Sequence, residues 1–129
     1  MPTSAKTRLT VGSRPRQSPP APERTRLTSQ GHPRTVFRRA LERGNLLIAE
    51  ATAREVGPLD LREALDLTAL IARDDRARGS RFAVRWLERY LGKQHAVSLD
   101  DAEFVVALLR ALGGRHHDAA LSALREIAG

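Results

Sequence analysis

The chain contains no cysteine among its 129 residues, which excludes disulfides, thiolate zinc sites, iron–sulfur clusters and cysteine nucleophiles. It also lacks a Gly-rich phosphate loop, a nucleophile elbow and a Ser/His/Asp spacing typical of hydrolases. The longest uninterrupted apolar run, Phe104 to Leu109, has six residues, far fewer than the roughly 18 that a membrane helix requires. We therefore expect neither an enzyme nor a membrane protein, and no cofactor.

The N-terminal part of the chain differs from the rest in composition and in charge. Six of the seven prolines lie within the first 33 residues, where large apolar side chains are almost absent. Residues 1–35 carry seven basic residues and one acidic residue, which accounts for +6 of the formal net charge of +7. Such a segment buries too little apolar surface to offset the entropy lost on ordering. We predict a disordered, basic, Pro-rich arm over residues 1–32 and a single helical domain over residues 33–129.

Three interpretations of this arm stay open. Its charge is suited to non-specific, salt-dependent binding of nucleic acid. Alternatively, Pro19-Pro-Ala-Pro22 docks as a polyproline helix on an aromatic groove, or the arm is a solubilising tail without a partner. Because no apolar stretch typical of a secretory signal follows the basic start, we expect a cytoplasmic protein.

Caps and glycines divide the remaining chain into six helical segments. Asn45 is a favourable N-cap, Asp60 and Glu63 have the spacing of a capping box, and Ser98 precedes another capped segment. No alternating pattern typical of strands occurs, so the fold class is all-α, either a compact helical bundle or a short α-solenoid. The third and fifth segments are apolar over more than half of their circumference and are expected to lie centrally. The predicted helices, paired as three antiparallel hairpins, are residues 35–43, 45–56, 60–75, 80–91, 98–112 and 116–128.

Parts of the first and last hairpins recur at an offset of 71 residues, for example Arg39-Ala-Leu41 with Arg110-Ala-Leu112. This offset is about twice the roughly 34-residue length of a tetratricopeptide repeat. The pattern Phe37…Ala40-Leu41…Gly44-Asn45…Ala49…Ala53 resembles the small-residue positions of tetratricopeptide-like helical repeats. The resemblance implies a stacked-hairpin scaffold that binds other proteins. The whole chain also looks like small Arg/Ala-rich helical proteins of actinobacteria, a resemblance that implies no particular activity.

The fourth predicted helix carries the most regular surface pattern. Five basic residues recur there at spacings of three and four and form one basic ridge, made of Arg78, Arg81, Arg85, Arg89 and Lys93. Three aromatic residues follow a neighbouring stripe at spacings of four, Phe82, Trp86 and Tyr90. The ridge and the stripe could contact a phosphate backbone or an acidic partner helix, with the aromatics packing or stacking. Alternatively, the aromatics belong to the core and the arginines form a solvated face.

Histidines are the remaining candidates for chemistry. His32 and His95 stand apart in the sequence, and His116 and His117 are neighbours. Adjacent side chains point about 100° apart on a helix and cannot easily bind one ion together, unlike the i, i+4 pair of zinc helices. We therefore expect no metal site.

These patterns predict a non-catalytic helical module or adaptor that binds another protein, with self-association left open. The alternative is a small nucleic-acid-binding accessory protein that uses the arm and the basic ridge. A salt titration with duplex DNA separates the two. Only the alternative predicts binding that is lost when residues 1–32 are removed and when the charges of Arg81, Arg85 and Arg89 are reversed.

Overall fold

The computed structural model describes residues 32–129, and each helix predicted from the sequence is present there. The six helices of this described part are α1 (His32–Arg43), α2 (Leu46–Val56), α3 (Leu61–Asp74), α4 (Arg76–Lys93), α5 (Leu99–Ala111) and α6 (His117–Ala128). No strand occurs between residues 32 and 129, so the all-α prediction is confirmed. Apart from His32, the arm predicted over residues 1–32 lies outside the described residues.

Three of the helices begin at side-chain caps that the sequence predicts. Asn45 and Ser98 each accept a hydrogen bond from the amide three residues later, at 3.2 and 3.0 Å. Asp60 and Glu63 form the predicted capping box, with bonds of 2.7 and 3.0 Å in the two directions. Each cap satisfies an amide that has no partner inside its helix, which explains why these boundaries are encoded locally.

Helix α4 begins earlier than the predicted start near Ser80. Asp75 caps it by accepting hydrogen bonds from two amides of the first turn, at 3.1 and 3.2 Å. Gly79 therefore lies inside the helix, where it is buried against α3. A Cβ atom built on Gly79 would lie 2.4 Å from the Cα atom of Ala72, so this glycine permits a close approach of the two helices.

The helices pack as three consecutive hairpins, α1–α2, α3–α4 and α5–α6. The middle hairpin contacts both others, because α3 packs on α1, α2 and α6 while α4 packs on α5. The prediction that α3 lies centrally is confirmed. The same prediction for α5 is wrong, because its extensive contacts are with α4 and α6 alone. Part of its apolar circumference consequently faces solvent, and Leu99 and Phe104 are 75% and 57% exposed.

Two clusters of buried side chains meet at α3. The tryptophan cluster joins α3, α4, α5 and α6, and consists of Leu61, Leu65, Ala69, Ala72, Trp86, Tyr90, Val105, Leu109, Leu112, Ala120 and Leu124. The phenylalanine cluster joins α1, α2 and α3, and consists of Phe37, Ala40, Ala49, Leu67 and Ile71. Different faces of α3 contribute to the two clusters, which is why this helix is apolar around most of its circumference.

Candidate binding groove between α4 and α5

Two members of the basic ridge are engaged in contacts with neighbouring segments. Arg78 forms an ion pair with Glu50 of α2, and the hydrogen bond from Arg78 to Glu50 raises the pKa of the arginine above its ordinary value. Arg89 donates a hydrogen bond of 2.9 Å to the carbonyl of Leu59, in the turn before α3. These two arginines therefore contact the α1–α2 hairpin and the turn that follows it.

The other three members of the ridge face solvent. Arg81, Arg85 and Lys93 are exposed, and none forms an ion pair with another residue in the range 32–129. The guanidinium carbon of Arg85 lies 4.7 Å from the centre of the Phe82 ring, a cation–π arrangement. The predicted ridge therefore has two parts. Two arginines, Arg78 and Arg89, bind neighbouring segments, and the other three residues form a row that faces solvent.

The aromatic stripe is part of the packing between helices. Trp86 and Tyr90 lie in the tryptophan cluster at 2% and 8% exposure, with ring centres 5.4 Å apart and ring planes inclined by 8°. The indole N–H of Trp86 donates a hydrogen bond of 2.8 Å to the carbonyl of Leu61, which satisfies the polar atom of a buried ring. Phe82 packs against the phenylalanine cluster. Trp86 and Tyr90 therefore present no face on which a base could stack.

A groove of about 340 Å³ runs between α4 and α5 on the side of α4 away from the basic ridge. Its volume is near the lower end of ligand pockets, roughly 300–1,000 Å³. Apolar side chains make up most of its walls, namely Ala72, Ala83, Val84, Leu87, Val106 and Leu109. Leu109 is buried in the tryptophan cluster, whereas Val84 is 54% exposed on the rim. The groove therefore has a packed floor and an apolar rim in contact with solvent.

Two arginines lie on the walls of this groove, where α4 begins and α5 ends. Arg76 comes from the first turn of α4 and Arg110 from the last turn of α5, beside Gly113. A Cβ atom on Gly113 would lie 3.0 Å from the Cγ atom of Arg76, so the glycine leaves room for the arginine side chain. Neither guanidinium forms an ion pair within the described part of the chain. The groove therefore combines apolar walls with positive charge that no described carboxylate neutralises.

A second groove, of about 410 Å³, lies between α1, α3 and α6. Two of its acidic groups, Glu63 and Asp66, are bound by the protein's own arginines. Glu63 accepts hydrogen bonds from Arg34 and, at 3.0 Å, from Arg38, and Asp66 accepts one of 2.9 Å from Arg125. We assign these contacts to the packing of α1 and α6 on α3.

Glu63 is the central residue of this ionic contact and is 4% exposed. Its burial alone would raise the pKa of the carboxyl, but hydrogen bonds from Arg34, the Asp60 amide and Arg38 outweigh burial and lower that pKa. The hydrogen bond to Glu63 likewise raises the pKa of Arg34. Arg34 belongs to the strongly basic first 35 residues of the sequence, and the structure places it in α1, within the predicted helical domain, where it holds that helix against α3.

The histidines do not form a common site. His117 is buried, and its Nδ1–H group donates a hydrogen bond of 2.7 Å to the carbonyl of Leu112, while His95 and His116 are exposed. Within residues 32–129 no group of three or more His, Asp or Glu side chains is placed to hold a metal ion. None of the helices over the same range is long and apolar enough to cross a membrane.

Sequence reasoning missed the α4–α5 groove, although a signal for it was present. One face of α4 carries apolar residues at spacings of three and four, namely Val84, Leu87 and Leu91. This face lies on the opposite side of the helix from the basic ridge. Apolar side chains at such spacing are ordinarily assigned to the core, so exposure is needed to recognise a surface groove.

Comparison with known proteins found no matching family model, no matching curated protein and no matching solved structure. The resemblance to tetratricopeptide-like repeats therefore stays a prediction based on the residues quoted above. Any functional proposal consequently depends on the chemistry of the grooves and surfaces of this chain.

Proposed function

We propose that the protein is a non-catalytic interaction module that binds an amphipathic helix of a protein partner in the α4–α5 groove. The observation that carries the proposal is the exposed apolar rim of this groove, where Val84 is 54% exposed beside Leu87 and Val106. Helix-in-groove recognition uses such a surface, since an amphipathic helix inserts apolar side chains at i, i+4 and i+7.

The length of the groove suits a short helix. Its lining on α4 extends from Arg76 to Leu87, which is about 16 Å at roughly 1.5 Å per residue. Three anchors at i, i+4 and i+7 span about 10 Å. The open side allows a helix to enter laterally, whereas a small cofactor would keep much of its surface in water.

The floor of the groove favours binding because it is already packed. Leu109 and Ala72 belong to the tryptophan cluster and are 8% and 7% exposed. A surface supported by a packed core loses little conformational entropy when a partner binds. The binding free energy of apolar anchors is then offset mainly by the ordering of the partner helix.

A labelled synthetic helix with leucine at i, i+4 and i+7 and otherwise uncharged residues tests the proposal. We expect saturable binding to the wild-type protein, measured by fluorescence anisotropy, and at least about tenfold weaker binding to the Val84→Asp variant, because the new carboxylate would be desolvated in the groove. Leu47→Asp is the matched control, since Leu47 is 77% exposed on α2 and outside the groove. No binding to the wild-type protein, or equal losses in both variants, would refute the proposal.

Nucleic-acid binding through the arm and the basic ridge is the second candidate function. The exposed row of Arg81, Arg85 and Lys93, without ion pairs among residues 32–129, favours it. We expect the affinity for duplex DNA to fall steeply with salt and to be lost when these three residues are changed to Glu. A control variant with the same net charge changes three exposed arginines of the first hairpin to Glu, Arg39, Arg43 and Arg54. Equal losses in the two variants would show dependence on net charge alone and would contradict a role for the ridge.

A further inference from the structure

We infer that the helix bound in the α4–α5 groove carries carboxylates at its N-terminal end, which pair with Arg76 and Arg110, so that it lies parallel to α4. This orientation depends on the proposed function, because it requires that the groove bind a helix. It adds the charge pattern and the direction of the partner segment.

The charges around the groove change sign along α5. The first turn of α5 contains Asp100 and Asp101, and Glu103 follows. Glu103 and Arg110 lie on the same face of this helix as Val106, at spacings of three and four. Glu103 lies one turn before Val106, just outside the groove lining, so over about 10 Å of helix this face of α5 passes from negative to positive charge.

The groups at the two ends are available to a partner. Arg76, Arg110 and Glu103 form no ion pair within the stretch that the structure describes. A carboxylate that docks beside Arg76 and Arg110 would sit next to apolar walls, where partial exclusion of water strengthens attraction between opposite charges. Charge complementarity of this kind selects orientation more than it adds affinity.

The apolar walls provide no preference for one direction. Val84, Leu87 and Val106 contribute through burial of area, which has no direction. A helix with apolar anchors alone would therefore bind in either orientation. With the two arginines at one end and Glu103 towards the other, a partner helix that carries the opposite charges at its ends binds in one of the two orientations only.

The carboxylates are expected at the N-terminal end of the partner helix. Acidic side chains in the first turn are favoured because they interact with the positive end of the helix dipole. With that end at Arg76, which begins α4, the bound helix runs in the same direction as α4. Basic residues at its C-terminal end would then lie towards Glu103.

The direction can be measured on the unmodified full-length protein. The probe is a synthetic helix with Glu in its first turn, Leu at i, i+4 and i+7, and Lys in its last turn, with a nitroxide label at the N-terminus. We expect the label to broaden the amide NMR signals of Gly113 and Gly114, near Arg110, more than that of Gly92, at the end of α4. Stronger or equal broadening at Gly92 would overturn the inference.

Charge reversal separates this inference from the proposed function. We expect the Arg76→Glu/Arg110→Glu double variant to bind the charged probe at least about tenfold more weakly than wild type, while its affinity for a version with Gln in place of Glu and Lys changes by less than about twofold. The Arg39→Glu/Arg54→Glu variant, with the same net charge, is the control and should retain binding. An unchanged affinity of the double variant for the charged probe, or an equal loss of affinity for the Gln probe, would overturn the inference alone. Failure of both probes to bind would overturn the proposed function as well.

Discussion

The two buried clusters on either side of α3 are stabilised by different kinds of contact. The tryptophan cluster is large and apolar, and the indole N–H of Trp86 bonds to a main-chain carbonyl. The phenylalanine cluster is small, and ion pairs flank it: Glu63 with Arg34 and Arg38, and Glu50 with Arg78. The stabilisation from apolar burial depends little on pH and on moderate salt, whereas the stabilisation from ion pairs depends on both. Three ion pairs join the α1–α2 hairpin to its neighbours, whereas one, between Asp66 and Arg125, joins α3 to α6. The α1–α2 hairpin should therefore respond more strongly to pH and salt than the packing of α3 to α6.

The largest expected effect lies in the tryptophan cluster. Trp86→Ala removes a ring that is 2% exposed and stacked on Tyr90, and should lower the free energy of unfolding by roughly 3–5 kcal/mol. Urea denaturation measures the change. Val84→Ala on the same helix is the control and should change stability by less than about 0.5 kcal/mol, as expected for a surface position. A loss below about 1 kcal/mol for Trp86→Ala would mean that this cluster does not dominate stability.

The next effect concerns the close approach of α3 and α4. Gly79→Ala should destabilise the protein by about 1–3 kcal/mol, because the new methyl group would overlap the backbone of Ala72. Helix propensity alone predicts the opposite sign, a gain of about 1 kcal/mol. Gly92→Ala is the control, since nothing lies within 4 Å of its added Cβ atom, and thermal unfolding should show no loss of stability. A rise in the melting temperature of Gly79→Ala would show that the helices separate at little cost.

A smaller effect, dependent on pH, is expected at Glu63 near the phenylalanine cluster. Its pKa is lower in the folded protein than in the unfolded chain, so its stabilising contribution is present above the unfolded value of about 4.3 and is lost as pH falls through the folded value. We expect Glu63→Gln to lose about 1 kcal/mol near neutral pH, a modest figure because solvent screens its partly exposed arginine partners.

Urea denaturation between about pH 7 and pH 3 measures this contribution. The stability curve of Glu63→Gln should approach that of the wild type at the acidic end. Glu55→Gln, at an exposed glutamate of α2, serves as the control and should follow the wild type throughout. Parallel curves for Glu63→Gln and the wild type would rule out a pH-dependent contact of α1 with α3.

The smallest effect is expected for the ion pair between Glu50 and Arg78. Both side chains are partly exposed, at 28% and 35%, and such pairs contribute little and are screened by salt. A double-mutant cycle to Ala should give a small favourable coupling at low salt that falls as salt is added. The cycle of Glu50 with Arg81, one turn from Arg78 and without an ion pair in the described range, should give no coupling. Equal couplings in the two cycles would show that Arg78 acts through net charge.

Local signals account for much of the secondary structure. Asn45, Asp60 and Ser98 were identified from the sequence because a cap acts on amides two or three residues away. The predicted start of α4 near Ser80 is wrong because Gly79 lies inside the helix and permits close contact with Ala72, which is on another helix. The position of α5 was misjudged for a related reason, since apolar residues on a helix do not indicate how many neighbours cover them.

The candidate site was harder to predict than the helices. The spacing of Arg78 and Arg89 correctly placed them on one helix face, but their bonds to Glu50 and the Leu59 carbonyl join segments distant in the chain. The apolar stripe through Val84 had the pattern of a core position, and only its exposure between α4 and α5 distinguishes it. The role of a side chain on a helix surface thus depends on which other helix lies opposite.

Composition, caps and apolar periodicity were sufficient to specify an all-α fold of six helices over residues 32–129, with α3 apolar enough to lie between the others. These properties follow from interactions within a few residues, so they can be read without knowing the packing. The division of α4 into a core stripe, a face bonded to the first hairpin and an open groove arises from packing of the hairpins. Burial and ion pairing between segments depend on distances that local sequence does not encode, and those distances determine which arginines and apolar side chains stay available to a partner.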